Sequence, residues 1–328
     1  MPPPPPSLAR IRRGPLDHCH HRRSQWYAQR VTVPSIILHV PHSSAEVPAD
    51  VRSQLRLEDD DLDRELLVMT DWHTDELFAL PPDVAVTVRF PVSRLVVDPE
   101  RFEDPTAEPM EAVGMGAVYT KTSHGLPLRD EAEAARERDA LLARYYRPHQ
   151  AALEAATAAA LAAHGRCLVV DCHSFPSRPL PYEFKVSADR WKVVHRPAVC
   201  IGTDMTLPPN APFAHPGMHT PPWLRERAAE ALGEMLAGWP GGATPDPASA
   251  PYEPAPEGGG RVVRGIAFDR PFSGALVPLP YLGHDQRVHA VMIELRRDLY
   301  MDEETGRRLA GFAGCAAAVQ TALRRIIA

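Results

Sequence analysis

The chain has no apolar run near the length of a membrane span, so no membrane partner is expected. It has no basic excess either. Its 36 Lys and Arg stand against 42 Asp and Glu, a formal net charge of −6, which sets nucleic acid aside as a partner. Cysteine is sparse: Cys19, Cys167, Cys172, Cys200 and Cys315 are odd in number and lack the paired spacing of a thiolate metal site. Cys167 and Cys172 fall in or beside an expected strand, where a reduced thiol behaves as a small hydrophobe. The opening residues lack the apolar centre of a secretory signal, and a cytoplasmic location is expected. There is no internal repeat, and nothing specifies an oligomeric state.

What is present is an ordinary globular composition, 44% hydrophobic and 24% charged over 328 residues. That length suits a single large α/β domain with a sizeable core. Proline is abundant, at 36 residues. Pro2 to Pro6 open an Arg- and His-rich leader over residues 1–30 with no periodic apolar pattern, expected to be disordered. Its Asp17-His18-Cys19-His20-His21 cluster is read as part of a mobile tail, with metal chelation as the alternative. A Pro/Gly-rich stretch at 240–260 is expected to be a long surface loop. The expected domain is therefore 31–328.

Apolar periodicity predicts strands at Ser35 to Val40, Val84 to Arg89, Arg166 to Val170, Val199 to Gly202 and Val288 to Leu295, with a short extended piece at Leu95 to Val97. A helix is predicted from Asp59 to Leu80, where Leu62, Leu66, Met69, His73 and Leu77 recur at three- and four-residue spacing. Another is expected from Glu131 to His164, whole or broken at Pro148, with Gly165 as its stop. Pro221 to Gly238 and Asp302 to Ile327 complete the set. Strands alternating with helices predict a mixed, mostly parallel sheet flanked on both faces.

Three of the strands end in the same grammar. Leu168-Val169-Val170 runs into Asp171-Cys172-His173-Ser174, Ile36 to Val40 into Pro41-His42-Ser43-Ser44, and Ala290-Val291-Met292-Ile293 into Glu294. In a parallel sheet, functional groups collect outside the carboxyl ends of the strands. Two imidazoles and a glutamate would then share one rim, as in a metal-dependent hydrolase. Asp171 and His173, two apart, project on the same side and suit an acid that fixes a ligating imidazole; a structural Asp–His pair is the alternative. Asp71 and Asp75, four apart on the expected helix, share a face, so that either supplies an acidic ligand or both lie on a solvated surface. Glu294 is costly inside a sheet without a partner; a metal-activated water is one candidate, and Arg296 or Arg297 the other. Arg94 and Arg101 flank an apolar stretch around Asp98 and suit recognition of a carboxylate, with surface salt bridging as the alternative.

These segments resemble the N-formylglutamate amidohydrolase (deformylase) family. The resemblance spans about Ser35 to Glu304. It rests on Pro41-His42-Ser43-Ser44 with Pro48, on Thr70-Asp71-Trp72-His73-Thr74-Asp75-Glu76-Leu77, and on Ser93-Arg94 through Arg101. Two further blocks carry it: Asp171-Cys172-His173-Ser174, and His289 to Glu294 with Tyr300-Met301-Asp302-Glu303.

The resemblance implies a fold related to zinc carboxypeptidases. It implies one zinc ion held by His42, Asp71 and His173, Glu294 as general base, and Arg94 and Arg101 on the carboxylates of a small-molecule substrate. Asp171, Asp75 and Asp98 are then supporting residues, and His149 matches a family histidine with no assigned role. The family reaction is hydrolysis of N-formyl-L-glutamate to formate and L-glutamate, in amino-acid degradation. Pro271 to Pro280 departs from the family pattern, in which a Gly-Gly-Tyr run precedes an arginine and a histidine, and Glu100 stands where an asparagine is common. Two alternatives follow: a zinc amidase or peptidase on another N-acyl amino acid or short peptide, and a non-catalytic metal-binding module.

Overall fold

Along the central strands, alternate residues change from apolar to ionisable as the chain approaches the carboxyl ends, and this gradient places the site. The computed structural model describes residues 35–194, 196–203, 218–239 and 265–328. The expected leader at 1–30 and the expected loop at 240–260 lie outside them. Six strands form one sheet: β1 (Ile36–Val40), β2 (Val86–Arg89), β3 (Cys167–Phe175), β4 (Val199–Gly202), β5 (Ile266–Phe268) and β6 (Val288–Arg296). Their order is β2-β1-β3-β6-β4-β5. Only the β4–β6 pairing is antiparallel among the described strands.

The helices are α1 (Ala49–Arg52), α2 (Asp59–Met69), α3 (Thr74–Leu77), α4 (Glu131–Leu141), α5 (Arg147–His164), α6 (Glu183–Val186), α7 (Arg190–Val194), α8 (Pro222–Ala237) and α9 (Phe312–Ile327). No described helix is long and apolar enough to cross a membrane. Both sheet faces are covered, which is why β1, β3 and β6 read as nearly continuous apolar runs. Leu38, Val170, Val291 and Ile293 share a buried cluster with Leu224, Leu232, Val319 and Leu323 of α8 and α9. On the other face, Ile37, Val169 and Ala290 lie side by side and pack with Leu153 and Ala160 of α5. The next rung on that face is His39, Asp171 and Met292, and the last pairs His173 with Glu294.

The structure departs from the expected elements at three places. The helix expected from Asp59 to Leu80 stops at Met69 and restarts at Thr74, with His73 in the left-handed region at φ 66°. Tertiary bonds drive this break: the Asp71 N–H donates to the His42 carbonyl at 2.9 Å, and the Thr74 hydroxyl donates to the Asp71 carbonyl at 2.8 Å. Asp71 and Asp75 therefore do not share a helical face. Leu95 to Val97 form a buried turn instead of an extended piece, closed by the Val96 N–H on the Ser93 carbonyl and the Leu95 N–H on the Ser93 hydroxyl. The closing helix begins at Phe312, because the Asp302 carboxylate captures the N–H groups of Glu304 and Thr305 in a local turn.

At Pro148 the first of the two expectations, an unbroken run, is the one found. Helix α4 continues through a π turn (Leu142–Tyr146) into α5, whose first turn holds the proline, so no break occurs. Gly165, at φ 69°, ends α5 with its N–H on the Leu161 carbonyl.

Leu153 is fully buried beneath the polar rungs. Leu153→Ala should lower unfolding free energy by about 2–5 kcal/mol, read from denaturant curves; a loss below the cost of one methylene would show that α5 does not anchor this face.

Candidate metal centre and active site

Three buried groups from separate segments meet at the carboxyl ends of β1 and β3. His42 follows β1 through Pro41, Asp71 comes from the break between α2 and α3, and His173 lies within β3. His173 Nδ1 is 3.1 Å from Asp71 Oδ2, and His42 Nδ1 is 3.8 Å from the same oxygen. One ligand atom from each of the three lies within 4.8 Å of the others. The Nε2 of His42 is 3.0 Å from Asp98 Oδ1. Burial alone would raise the pKa of Asp98, but Arg94, Arg101 and His42 hold it well below the usual carboxylate range. An ionised Asp98 accepts the hydrogen bond of Nε2–H, which leaves the lone pair on Nδ1. That Nδ1 is buried without a hydrogen-bond partner, a costly state for a polar atom unless a cation occupies its front. Two imidazole nitrogens and a carboxylate oxygen fit a divalent metal of the zinc type.

Asp71 is equipped to stay ionised. Its Oδ1 accepts from Arg297 Nη2 at 2.9 Å and its Oδ2 from the Ser174 N–H at 3.2 Å. Burial pushes its pKa up, yet His173, His42 and Arg297 together bring it far below the usual value. For His173, burial would lower the pKa; Glu100, Asp171 and Asp71 raise it well above the ordinary imidazole value instead. Asp171 lies 3.0 Å from His173 Nε2 and 2.8 Å from His39 Nδ1, and accepts the Leu276 N–H at 3.1 Å.

Glu294 faces this group from β6, in register with His173. Its Oε2 is buried and has no hydrogen-bond partner. Burial pushes its carboxyl up to about 8, with Asp71 and Glu100 adding to the rise and His173 opposing it. Arg297, one of the two partners considered from sequence, donates instead to Asp71, Ser174 and the Val68 carbonyl.

Arg94 and Arg101 line the same cavity of about 430 Å³ as His42, Asp71, His173 and Glu294. Arg94 Nη2 donates to Asp98 Oδ2 at 2.7 Å, while Arg101 Nε is 3.8 Å from that oxygen. Asp98 therefore links His42 to both guanidiniums. Asp75 lies apart from the three ligand-capable groups, 3.3 Å from Arg89, whose Nε donates to the Ser43 hydroxyl beside His42.

Two residues of the cluster escaped the sequence reading of the site, and a third was given a different partner. His39, one rung below His173, offers Nε2 to His149 Nε2 at 2.9 Å; its position two residues before Pro41 on an expected strand was the available signal. Burial, with His39 beside it, lowers the His149 pKa to about 3. Glu100 lies 3.0 Å from His173 Nε2 and 3.7 Å from both His39 Nδ1 and His42 Nδ1. With His39 and Asp171 it forms a second group of ligand-capable atoms. Arg297 is the third, and no local pattern tied it to Asp71.

Comparison with known proteins gives one family. The sequence profile of the N-formylglutamate amidohydrolase family (FGase) matches residues 34–301. Among solved structures, the N-formylglutamate amidohydrolase of Ralstonia eutropha JMP134 superposes with a TM-score of 0.64 at 22% identity, covering 90% of this chain and 95% of that one. A gene product of Agrobacterium tumefaciens gives 0.49 at 20% identity, covering 89% and 90%. No curated protein matches.

Metal uptake should be coupled to proton release. Glu100, Asp171 and Asp71 favour the protonated imidazole of His173, and a cation taking its nitrogen would displace that proton. Apparent Zn²⁺ affinity should therefore rise with pH, and the released protons should fall in number as pH approaches the His173 value. Calorimetry in buffers of different ionisation enthalpy measures this; proton-neutral binding at pH 6 would contradict it. His173→Ala should weaken binding beyond the ~10–100-fold typical of losing an outer partner.

Proposed function

The chain belongs to the N-formylglutamate amidohydrolase family of hydrolases, and from that premise we propose that it cleaves the amide bond of a carboxylate-bearing N-acyl amino acid with one divalent metal ion, zinc by donor set. The observation that carries this reading is the buried, unpartnered Nδ1 of His42, which shares one short-range cluster with Asp71 and His173. N-Formyl-L-glutamate is the family's named substrate class.

In this reading His42, Asp71 and His173 hold the metal. A divalent cation there would polarise the acyl carbonyl and the attacking water and, by its charge, draw the Glu294 carboxyl back toward its ionised form. Glu294 takes the water proton as the water oxygen bonds to the acyl carbon. It then delivers that proton to the nitrogen as the C–N bond breaks, so that a carboxylic acid and a free amino acid leave. Its position among apolar strand residues, with one oxygen unpaired, keeps it available for a proton.

Arg94 and Arg101 would receive the substrate carboxylate. They share Asp98 as a counter-ion, so the pair keeps a positive excess toward the cavity. Asp98 also orients His42, which couples carboxylate recognition to the metal position. Asp171 does the same for His173. Asp75 acts at a distance, through Arg89 and Ser43, on the loop that carries His42.

Glu294→Gln should retain one metal ion per chain while lowering kcat by about 10²–10⁴, measured by metal analysis beside single-substrate kinetics. Arg94→Ala should raise KM more than it lowers kcat. Parental turnover by the Glu294 variant would remove it as the base. Bound metal without turnover of any N-acyl amino acid would favour the non-catalytic module instead.

A further inference from the structure

The cavity is built for one carboxylate and an apolar chain. Among the described residues that line it, the arginines are Arg94, Arg101 and Arg297. Arg297 is consumed within the protein: it donates to Asp71 Oδ1, the Val68 and Ser174 carbonyls and the Ser174 hydroxyl. Arg94 and Arg101 share Asp98, with Glu108 at 4.0 Å from Arg101. With Asp98 shared between them and Glu108 beyond Arg101, the two guanidiniums keep at most one positive charge for a bound anion.

Part of the lining is a continuous apolar segment. After β5 the chain lies across the sheet face, where Phe272, Leu276, Val277, Leu279 and Leu282 line the cavity. This segment is fastened to the site itself: the Leu276 N–H donates to Asp171 Oδ2, and Phe272 meets Phe175 of β3 edge-on at 5.9 Å. Met292, one rung below Glu294, faces the same space. Leu279 remains 46% exposed, an apolar surface left for something to cover. A volume of about 430 Å³ falls within the ~300–1,000 Å³ of pockets that enclose whole small molecules, and a formyl group has no carbon chain with which to use such a wall.

Resting on the amide-hydrolase reading above, we infer that the preferred substrate is an N-acyl amino acid with a single carboxylate and an acyl chain longer than formyl. The carboxylate pairs with Arg94 and Arg101, and the acyl chain lies on the Phe272 to Leu282 wall. Hydrolysis adds one water across the C–N bond and releases an aliphatic carboxylic acid and a neutral-side-chain amino acid.

The test uses the full chain loaded with Zn²⁺ and four substrates, N-formyl and N-hexanoyl derivatives of L-glutamate and of L-leucine. N-hexanoyl-L-leucine should exceed N-formyl-L-glutamate in kcat/KM by at least about 10-fold, the low end for one methylene in an apolar pocket. Leu279→Glu, at a position exposed enough to leave folding intact, should shrink the hexanoyl-to-formyl ratio for the leucine pair by about 10-fold. N-formyl-L-glutamate as the best of the four, or an unchanged ratio in the Leu279 variant, overturns the inference and leaves the hydrolase reading standing. Turnover of none of the four overturns both.

Discussion

The site depends on an ionised carboxylate kept inside the protein. Asp71 is almost fully buried, and a charge in that position persists only if both oxygens are answered. Arg297 answers one of them from just beyond β6, while the Ser174 amide and the His173 ring answer the other from β3. These contacts pull residues 70–73 out of helical geometry and toward the sheet. The interruption of α2 is thus the local cost of a tertiary ion pair, and it brings a third ligand-capable group to two histidines.

Around that carboxylate the charges are arranged in pairs rather than scattered. Asp98 stands behind His42 and Asp171 behind His173, so each imidazole has one face fixed by an acid. Burial acts against both acids, and nearby cations and imidazoles overcome it. Glu294 is treated differently. It receives no close cation of its own, and desolvation leaves it readier to hold a proton than its neighbours are. Carboxylates on adjacent elements thereby acquire opposite proton preferences, which suits separate duties in one reaction.

The strands were legible because their composition answers to burial on both faces, and β1, β3 and β6 carry β-branched runs that end in polar residues. Strand-face alternation also explains why Asp171, His173 and Glu294 could be read as neighbours: register preserves the parity that the sequence displays. The break at Thr70 was not legible, since Leu66, Met69, His73 and Leu77 keep helical spacing across it and its cause lies with His42 and Arg297, distant along the chain. The turn at Leu95 to Val97 was hidden for the opposite reason. Its residues are fully buried and apolar, two of them β-branched, yet the Ser93 side chain dictates a local bend. His39 belongs to no recognisable motif and Glu100 stood out only as a departure from one, and only the assembled sheet shows what they face.

The π turn at Leu142–Tyr146 sets the phase of everything after it. A helix advances about 100° per residue, so one residue more or fewer in this turn rotates α5 by that angle. The buried stripe His149, Leu153, Thr157 and Ala160 would then swing sideways off the sheet, and an alanine-rich flank, carrying Glu154 for one sense of rotation, would be turned toward Ile37 and Val169. Chain length between α4 and α5 is thus an angular setting: insertions or deletions here act as rotations, and the histidine that supports His39 is the first group they would displace.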